Sequence, residues 1–188
     1  MQAVWSPWLR LLHWLLAVSM IASFATHEGG GKWHEWTGYI ALAAALLRVV
    51  LGFAGAGYWR FAQFVRSFSA TVDYARRVLK KTEPRYLGHN PLGGWMVLAL
   101  LADAVATGLT GWLYTTDRFF GYEWLEALHS ALGYAMVPLL ALHLAGVVFT
   151  SIRHRENLVA AMLHGKKPMQ VPQVPQDPQE STDYRHKH

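Results

Sequence analysis

A stretch near the end of the chain, residues 124–153, constrains the fold more than any other. It is apolar for long enough to cross a bilayer as a helix, yet it carries His129 and His143. Fourteen residues at about 100° and 1.5 Å per residue place both imidazoles on one helix face, about 21 Å apart. Because an ionisable side chain in hydrocarbon needs a partner, both are candidate functional residues. They either bind cofactors at two depths or hydrogen-bond to neighbouring helices.

The composition is that of a membrane protein. Of 188 residues, 53% are hydrophobic and 15% are charged, whereas about a quarter of the residues in soluble domains are charged. The absence of cysteine excludes disulfides, iron–sulfur clusters, thiolate zinc sites and covalently attached haem. The formal net charge of +5 does not indicate nucleic-acid binding, because basic residues in loops beside apolar spans usually report membrane orientation.

The hydrophobic pattern predicts an all-α, integral membrane four-helix bundle. The predicted spans are residues 8–25, 33–53, 91–114 and 124–152. Residues 1–167 form one domain, and residues 168–188, rich in Pro, Gln and charge, are predicted to be a disordered tail. A signal peptide is the alternative interpretation of the first apolar run, but His13 within that run argues against it.

A basic segment, residues 54–90, separates the second and third spans. Its apolar residues recur at helical spacing opposite most of its Lys and Arg: Phe61, Phe64, Val65, Phe68, Val72, Ala75 and Leu79. This pattern predicts a basic amphipathic helix on the membrane surface, with its apolar face towards lipid. A helix that packs against a soluble partner would have the same pattern.

Loop charges predict the orientation of the bundle. The two short loops, between spans one and two and between spans three and four, hold only Lys32 and Arg118. Nearly every other Lys and Arg in a loop or tail lies on the opposite side. By the positive-inside rule, both termini are cytoplasmic in a bacterial inner membrane, and the short loops are periplasmic.

With this orientation, the four span histidines fall into two layers. His34 and His129 lie near the periplasmic face, and His13 and His143 lie nearer the cytoplasmic face. Each pair joins two helices, as bis-histidine ligation of haem in a bundle requires. Two b-type haems are therefore the predicted cofactors, and zinc is less suited because no carboxylate or thiolate accompanies either pair. The remaining histidines, His89 among them, lie in turns, loops or the tail and are predicted to be exposed to solvent.

Two arginines are candidate cofactor-binding residues. Arg48 lies fourteen residues after His34, so it shares that helix face one layer deeper. Its planar guanidinium suits a haem propionate, and Asp103 is the alternative partner. Arg10, one turn before His13, binds a propionate or anchors to a lipid phosphate.

Short motifs run along the chain up to the tail. They are Arg10-Leu-Leu-His13-Trp14, residues 34–38, Gly88-His-Asn-Pro-Leu-Gly93, His129-x-x-x-Gly133-Tyr134 with His143, residues 156–158 and residues 165–168. In order and placement they resemble the prokaryotic cytochrome b561 family, which includes the cytochrome b subunits of hydrogenases and formate dehydrogenases. The resemblance implies that His13 and His143 bind a cytoplasmic haem, and that His34 and His129 bind a periplasmic one. Asp103 departs from the pattern, because an uncharged residue is expected there.

The resemblance implies electron transfer across the membrane, between a periplasmic redox partner and a quinone near the cytoplasmic haem. The quinone site is expected where His13, His143 and residues 88–92, including His89 and Asn90, converge. The periplasmic donor is a hydrogenase or dehydrogenase subunit, a c-type cytochrome, or superoxide itself, which would make the chain a stand-alone superoxide:quinone oxidoreductase. A non-redox membrane scaffold with structural histidines is a further alternative. Acidic side chains outnumber basic ones at the periplasmic face, which favours a basic protein donor over superoxide.

Overall fold

The computed structural model describes residues 2–29, 31–55 and 57–168, apart from the side chain of Tyr58. The predicted disordered tail lies outside these residues, except for Pro168. In chain order the elements are β1 (Gln2–Ala3), α1 (Pro7–Ala25), α2 (Lys32–Ala54), a 3-10 turn (Gly57–Trp59), α3 (Phe61–Phe64), α4 (Phe68–Leu79), α5 (Pro91–Tyr114), α6 (Glu123–Arg153), α7 (Leu158–His164) and β2 (Lys166–Lys167).

Four of these helices, α1, α2, α5 and α6, are long and apolar enough to cross a membrane. Each end lies within one residue of its predicted position. Local sequence explains two of the starts. The Ser6 hydroxyl accepts a hydrogen bond from the Leu9 amide, and the Asn90 side chain accepts one from the Gly93 amide. A proline follows each capping residue, where its missing N–H removes no helix hydrogen bond.

The four long helices pack in chain order, α1 on α2, α2 on α5 and α5 on α6. At Gly108, a Cβ would lie 2.8 Å from Leu42, so the glycine brings α5 close to α2. The remaining pair, α6 and α1, packs sparsely. Near the short loops the Phe24 ring lies 6.1 Å from that of Tyr134, edge to face. We call this sparse interface the α1–α6 seam. We call the two ends of the bundle the short-loop end and the terminus end.

The segment between α2 and α5 differs from the predicted surface helix in two respects. It forms two helices, α3 and α4, interrupted at residues 65–67. Phe61 and Phe64 are buried in the bundle core with Ala45, Leu101 and Ala104, whereas Phe68 and Leu79 are 76% and 83% exposed. The inward packing follows from two glycines, since a Cβ at Gly52 would overlap the Phe61 ring and one at Gly94 would lie 2.7 Å from the Phe64 carbonyl oxygen.

Both ends of the described chain meet at the terminus end. β1 and β2 form a two-residue antiparallel ladder, and the amides of Val4 and Trp5 donate to the Gly165 carbonyl at 2.9 and 3.1 Å. Gly165 has a φ of +82°, and a Cβ there would lie 2.6 Å from the Trp5 carbonyl oxygen. Both the left-handed backbone and the close approach therefore require glycine. The hydrophobic pattern gave no indication of this ladder.

Buried ion pairs extend the same cap. Arg85 contacts Glu156 at 2.6 Å and Lys167 contacts it at 3.6 Å, while Arg153 contacts Glu83 at 2.6 Å. The hydrogen bonds from Arg153 hold the pKa of Glu83 below its usual value. Burial lowers the pKa of Lys167, against the opposing effect of Glu156. These contacts fasten the α4–α5 loop to the end of α6 and to the chain terminus.

Candidate cofactor site between the helices

Two of the predicted histidines face each other across the bundle near the short-loop end. His34 lies on α2 and His129 on α6, and their ring centres are 5.8 Å apart with the planes at 82°. A metal–imidazole bond of about 2 Å places two trans imidazole centres about 6 Å apart. The observed spacing therefore matches two axial ligands of one metal ion.

Backbone carbonyls fix how both rings present their nitrogens. His34 Nδ1 lies 2.9 Å from the Ser23 carbonyl oxygen, and His129 Nδ1 lies 3.0 Å from that of Thr107. Because a carbonyl oxygen only accepts, each Nδ1 carries the proton and donates it. The Nε2 of each ring is then the unprotonated nitrogen that binds a metal, in the arrangement typical of histidine ligands.

The donor set suits a group that brings its own equatorial ligands. Among the residues that the structure describes, no cluster of three or more His, Cys, Asp or Glu side chains forms a metal site. Two trans imidazoles leave a bare zinc ion short of ligands, whereas a porphyrin iron needs only those two. The residues at this layer therefore fit haem.

Two glycines give this layer its space. A Cβ at Gly111 would lie 2.9 Å from His129 Cε1, so the glycine admits the imidazole beside α5. Gly133 lies one turn after His129 on α6, and a Cβ there would meet nothing within 4 Å. The first glycine therefore gives room to the ligand ring, and the second leaves open space next to it.

The other two histidines are in the layer near the terminus end. His13 on α1 and His143 on α6 are close enough for their charges to interact with each other, and His13 also with Arg48. His34 thus lies beside His129 near the short-loop end, and His13 lies within electrostatic range of His143 nearer the terminus end.

The sequence pattern of the prokaryotic cytochrome b561 family matches residues 4–165. The chain belongs to the prokaryotic cytochrome b561 family. It is similar to a probable Ni/Fe-hydrogenase B-type cytochrome subunit of Azotobacter vinelandii, 26% identical over 202 residues covering 84% of each chain. A protein of the same description in Azotobacter chroococcum mcd 1 is 25% identical over the same coverage. No solved structure matches.

Family membership makes this cytochrome b561 a multi-pass membrane protein of electron transport that carries b-type haem.

The two arginines predicted to bind cofactor have protein partners. Arg48 donates to the Trp59 carbonyl at 3.0 Å and lies 5.1 Å from the Phe61 ring centre. Arg48 does not pair with Asp103, whose Oδ2 is buried without a hydrogen-bond partner.

Arg10 of this cytochrome b561 turns towards the end of the described chain. Its guanidinium donates to the Leu163 carbonyl at the end of α7. Its Nε is buried and has no hydrogen-bond partner among the residues described. That nitrogen lies 3.2 Å from the position that a Cβ on Gly165 would occupy. Arg10 therefore belongs to the cap at the terminus end and retains one buried donor.

His89 contradicts the prediction of solvent exposure. Its ring lies between Trp5 and Phe64, with centres 5.0 and 4.7 Å away, and its Nδ1 is buried without a partner. Burial lowers the pKa of His89 to about 3, and the charges of Arg48 and Lys167 act in the same direction. The exposure prediction failed because it considered only the loop, whereas the N-terminal segment covers the ring.

The remaining predicted site residue, Asn90, has a structural contact, the cap of α5. The ordinary histidines differ in exposure. His27 and His164 are exposed as predicted, whereas His154 is half-buried. His186 and His188 lie outside the described residues.

An open pocket lies beside α3 and the residues before α5. It is lined by Gln63, Phe64, Arg85, Tyr86, Leu87, Gly88 and His89.

Proposed function

We propose that this cytochrome holds two b-type haems and carries electrons across the bacterial inner membrane, between a periplasmic redox protein and a quinone near the cytoplasmic side. The geometry of His34 and His129 carries the proposal, because their ring centres lie 5.8 Å apart and each Nδ1 is engaged by a backbone carbonyl, so that each unprotonated Nε2 would be the atom that holds the haem iron. If the two histidines had only a structural role, there would be no reason for both Nε2 atoms to be unprotonated and able to bind a metal.

The chain's own residues position the ligands. Haem, when bound, supplies an iron that accepts and releases one electron. The carbonyls of Ser23 and Thr107 hold the rings of His34 and His129 in orientation and increase their basicity. The surrounding apolar helices exclude water, which favours the less charged state of the site and so influences its potential.

His13 and His143 are proposed to bind the second haem. Their mutual proximity supports this assignment, as does the sparse α1–α6 seam beside them. Gly146, three residues after His143, has nothing within 4 Å of its Cβ position. The unpartnered Arg10 Nε and the buried Arg48 add positive charge near this layer, which suits the propionates of a haem.

The pocket beside His89 is the proposed place for the quinone ring. Its volume is about 240 Å³, below the range of about 300–1,000 Å³ typical of sites that enclose a whole ligand. A quinone head with its tail in lipid fits this size. His89 Nδ1, buried without a partner, supplies a polar group for a quinone carbonyl.

Orientation is proposed from loop charge, with both termini cytoplasmic and the short-loop end periplasmic. After Lys167, we expect a fused reporter enzyme that works only in the cytoplasm to be active and one that works only in the periplasm to be inactive. At Gly30, we expect the reverse. The segments at residues 26–32 and 115–122 contain only Lys32 and Arg118 as Lys or Arg residues, which is the reason for this expectation. The opposite activity pattern would show that the short-loop end is cytoplasmic, and it would reverse the proposed direction of electron transfer across the membrane.

The proposed partner is a periplasmic redox protein that docks at the short-loop end. The names of the two relatives favour a hydrogenase subunit, and a c-type cytochrome is the second candidate. The loops at this end are short, so a docked protein sits close to the His34–His129 layer. The same access makes a stand-alone superoxide:quinone oxidoreductase the alternative function.

A visible spectrum of the purified protein tests the proposal. After expression with adequate haem supply, the dithionite-reduced protein is expected to show sharp α and Soret bands of low-spin b-type haem, with about two haems per chain by extraction, because four histidines supply two axial pairs. A colourless protein would favour the scaffold alternative. One haem per chain would refute the dihaem assignment and retain the b-type cytochrome.

A further inference from the structure

One face of α5 carries a row of polar side chains in an otherwise apolar span. The row consists of Asp103, Thr107, Thr110 and Tyr114, at spacings of four, three and four residues. These spacings keep all of them within about 60° of one another around the helix. The row begins near the middle of the span and ends at the short-loop end.

The deep end of the row contains two sealed polar atoms. Asp103 Oδ2 and Thr107 Oγ1 are both buried and have no hydrogen-bond partner in the described part of the chain. They lie one helical turn apart, about 6 Å along the axis. Burying a polar atom without a hydrogen-bond partner destabilises the folded state, so two such atoms on one helix face indicate a functional role.

The other end of the row reaches both a candidate haem ligand and solvent. Thr110 Oγ1 lies 3.2 Å from His129 Nδ1. The Tyr114 hydroxyl donates to the Glu126 carboxylate at 3.1 Å, and Glu126 is exposed. The Thr110 hydroxyl also lies 2.9 Å from the carbonyl oxygens of Ala106 and Thr107. Hydroxyl groups therefore line the helix face between the exposed carboxylate of Glu126 and the buried one of Asp103.

Among the residues that the structure describes, Asp103 has no ionic partner. The elements packed on α5 bring His129 and His143 from α6, His34 and Arg48 from α2, and Tyr74 from α4, while α3 has no ionisable residue. None of these groups forms an ion pair or a hydrogen bond with the Asp103 carboxyl group. The protonation of Asp103 is therefore free to respond to a charge that arrives in the bundle.

We propose that Asp103 is a redox-linked proton acceptor for the haem held by His34 and His129, supplied from the short-loop end along Glu126, Tyr114, Thr110 and Thr107. This inference rests on the proposed function. When the ferric iron gains one electron, the Asp103 carboxylate gains one proton from water at the short-loop face, so the net charge of the layer is unchanged. Steps of about 4.5–6 Å between members exceed a hydrogen bond, so transient waters or hydroxyl rotation complete each transfer.

The test is the pH dependence of the midpoint potential in the detergent-purified holoprotein. In the wild-type protein, one proton per electron changes the equilibrium constant for reduction tenfold per pH unit, about 59 mV for a one-electron couple. The potential of this haem therefore falls as pH rises, over the range in which Asp103 loses its proton in the oxidised protein. Asp103→Asn is expected to flatten this slope and to raise the potential at high pH.

The matched control is Asp117→Asn, the same chemical change at an exposed position of the same end, which is expected to keep the wild-type slope. A redox-difference infrared spectrum supplies a second readout, a carboxylic acid C=O band that forms on reduction and is absent from Asp103→Asn. Thr107→Val is expected to slow proton uptake after reduction without changing the equilibrium slope.

The possible outcomes distinguish a failure of the proton-acceptor proposal from a failure of the proposed dihaem cytochrome function. Absence of haem from the wild-type protein would refute the proposed function. Asp103→Asn with both haems and the full wild-type slope would overturn the proton-acceptor assignment and leave the dihaem cytochrome intact. The same holds if the carboxylic acid band persists in Asp103→Asn.

Discussion

Replacement of either His34 or His129 by alanine is expected to remove one and the same haem, so that haem per chain falls from about two to about one. Both rings contribute to a single layer, with centres 5.8 Å apart, and a low-spin bis-histidine iron needs both ligands. The double variant should therefore lose no more than either single variant. His13→Ala and His143→Ala should each remove the other haem. Pyridine haemochrome analysis with low-temperature α-band spectra measures both stoichiometry and identity.

His27→Ala and His164→Ala are the matched controls for this series. Both histidines are exposed, one near each end of the bundle, so their loss should leave two haems. If His13→Ala and His129→Ala removed the same haem, the assignment of layers would be wrong. Unchanged stoichiometry in His34→Ala would remove the main support for the proposed function.

Electron entry at the short-loop end should be much faster from a basic redox protein than from superoxide. The exposed residues there include five acids and two bases, a net charge of −3 from 2 − 5: Glu28, Glu35, Asp117, Glu123 and Glu126 against Lys32 and Arg118. Complementary charge raises association rates by about 10- to 1,000-fold at low salt, and like charge opposes an anion. Stopped-flow reduction of haem by a cognate periplasmic protein should therefore slow as ionic strength rises.

Charge-neutralised variants make this test specific. Glu35→Gln combined with Glu123→Gln should reduce the rate with the protein donor and weaken its salt dependence. Asp73→Asn, exposed on α4 at the terminus end, should change neither. Reduction by superoxide near the diffusion limit, with ubiquinone as acceptor and no other protein present, would contradict the subunit assignment and establish the oxidoreductase alternative.

The sequence predicted the four spans because they depend on local, periodic information. Apolar runs bounded by Ser6-Pro7 and Asn90-Pro91 contain their own start signals, and the helical repeat converts the spacing of His129 and His143 into two depths. These inferences do not require knowledge of which helix packs against which. The four long helices accordingly begin and end within a residue of prediction.

The residues whose environments differ from prediction are those that depend on tertiary contacts. An amphipathic pattern shows that Phe61 and Phe64 seek an apolar environment, but lipid and the bundle core satisfy it equally. The choice of the core follows from space at Gly52 and Gly94. His89 is half-buried, with its Nδ1 shielded from solvent, because Trp5, more than eighty residues away in sequence, packs against its ring. The carbonyl partner of Arg48 likewise lies in a 3-10 turn that no periodicity predicts.

The sparse α1–α6 seam has a consequence for assembly. Protein packing alone joins α1, α2, α5 and α6 through three interfaces, and it leaves α6 with Leu125 as its only buried residue. If each histidine pair binds one haem, both cofactors tie α6 to the first two helices, one through α2 and the other through α1. The prosthetic groups then serve as the fourth interface. Haem insertion becomes the closing step of folding, and a chain deprived of haem should present α6 as a hinged, protease-sensitive helix.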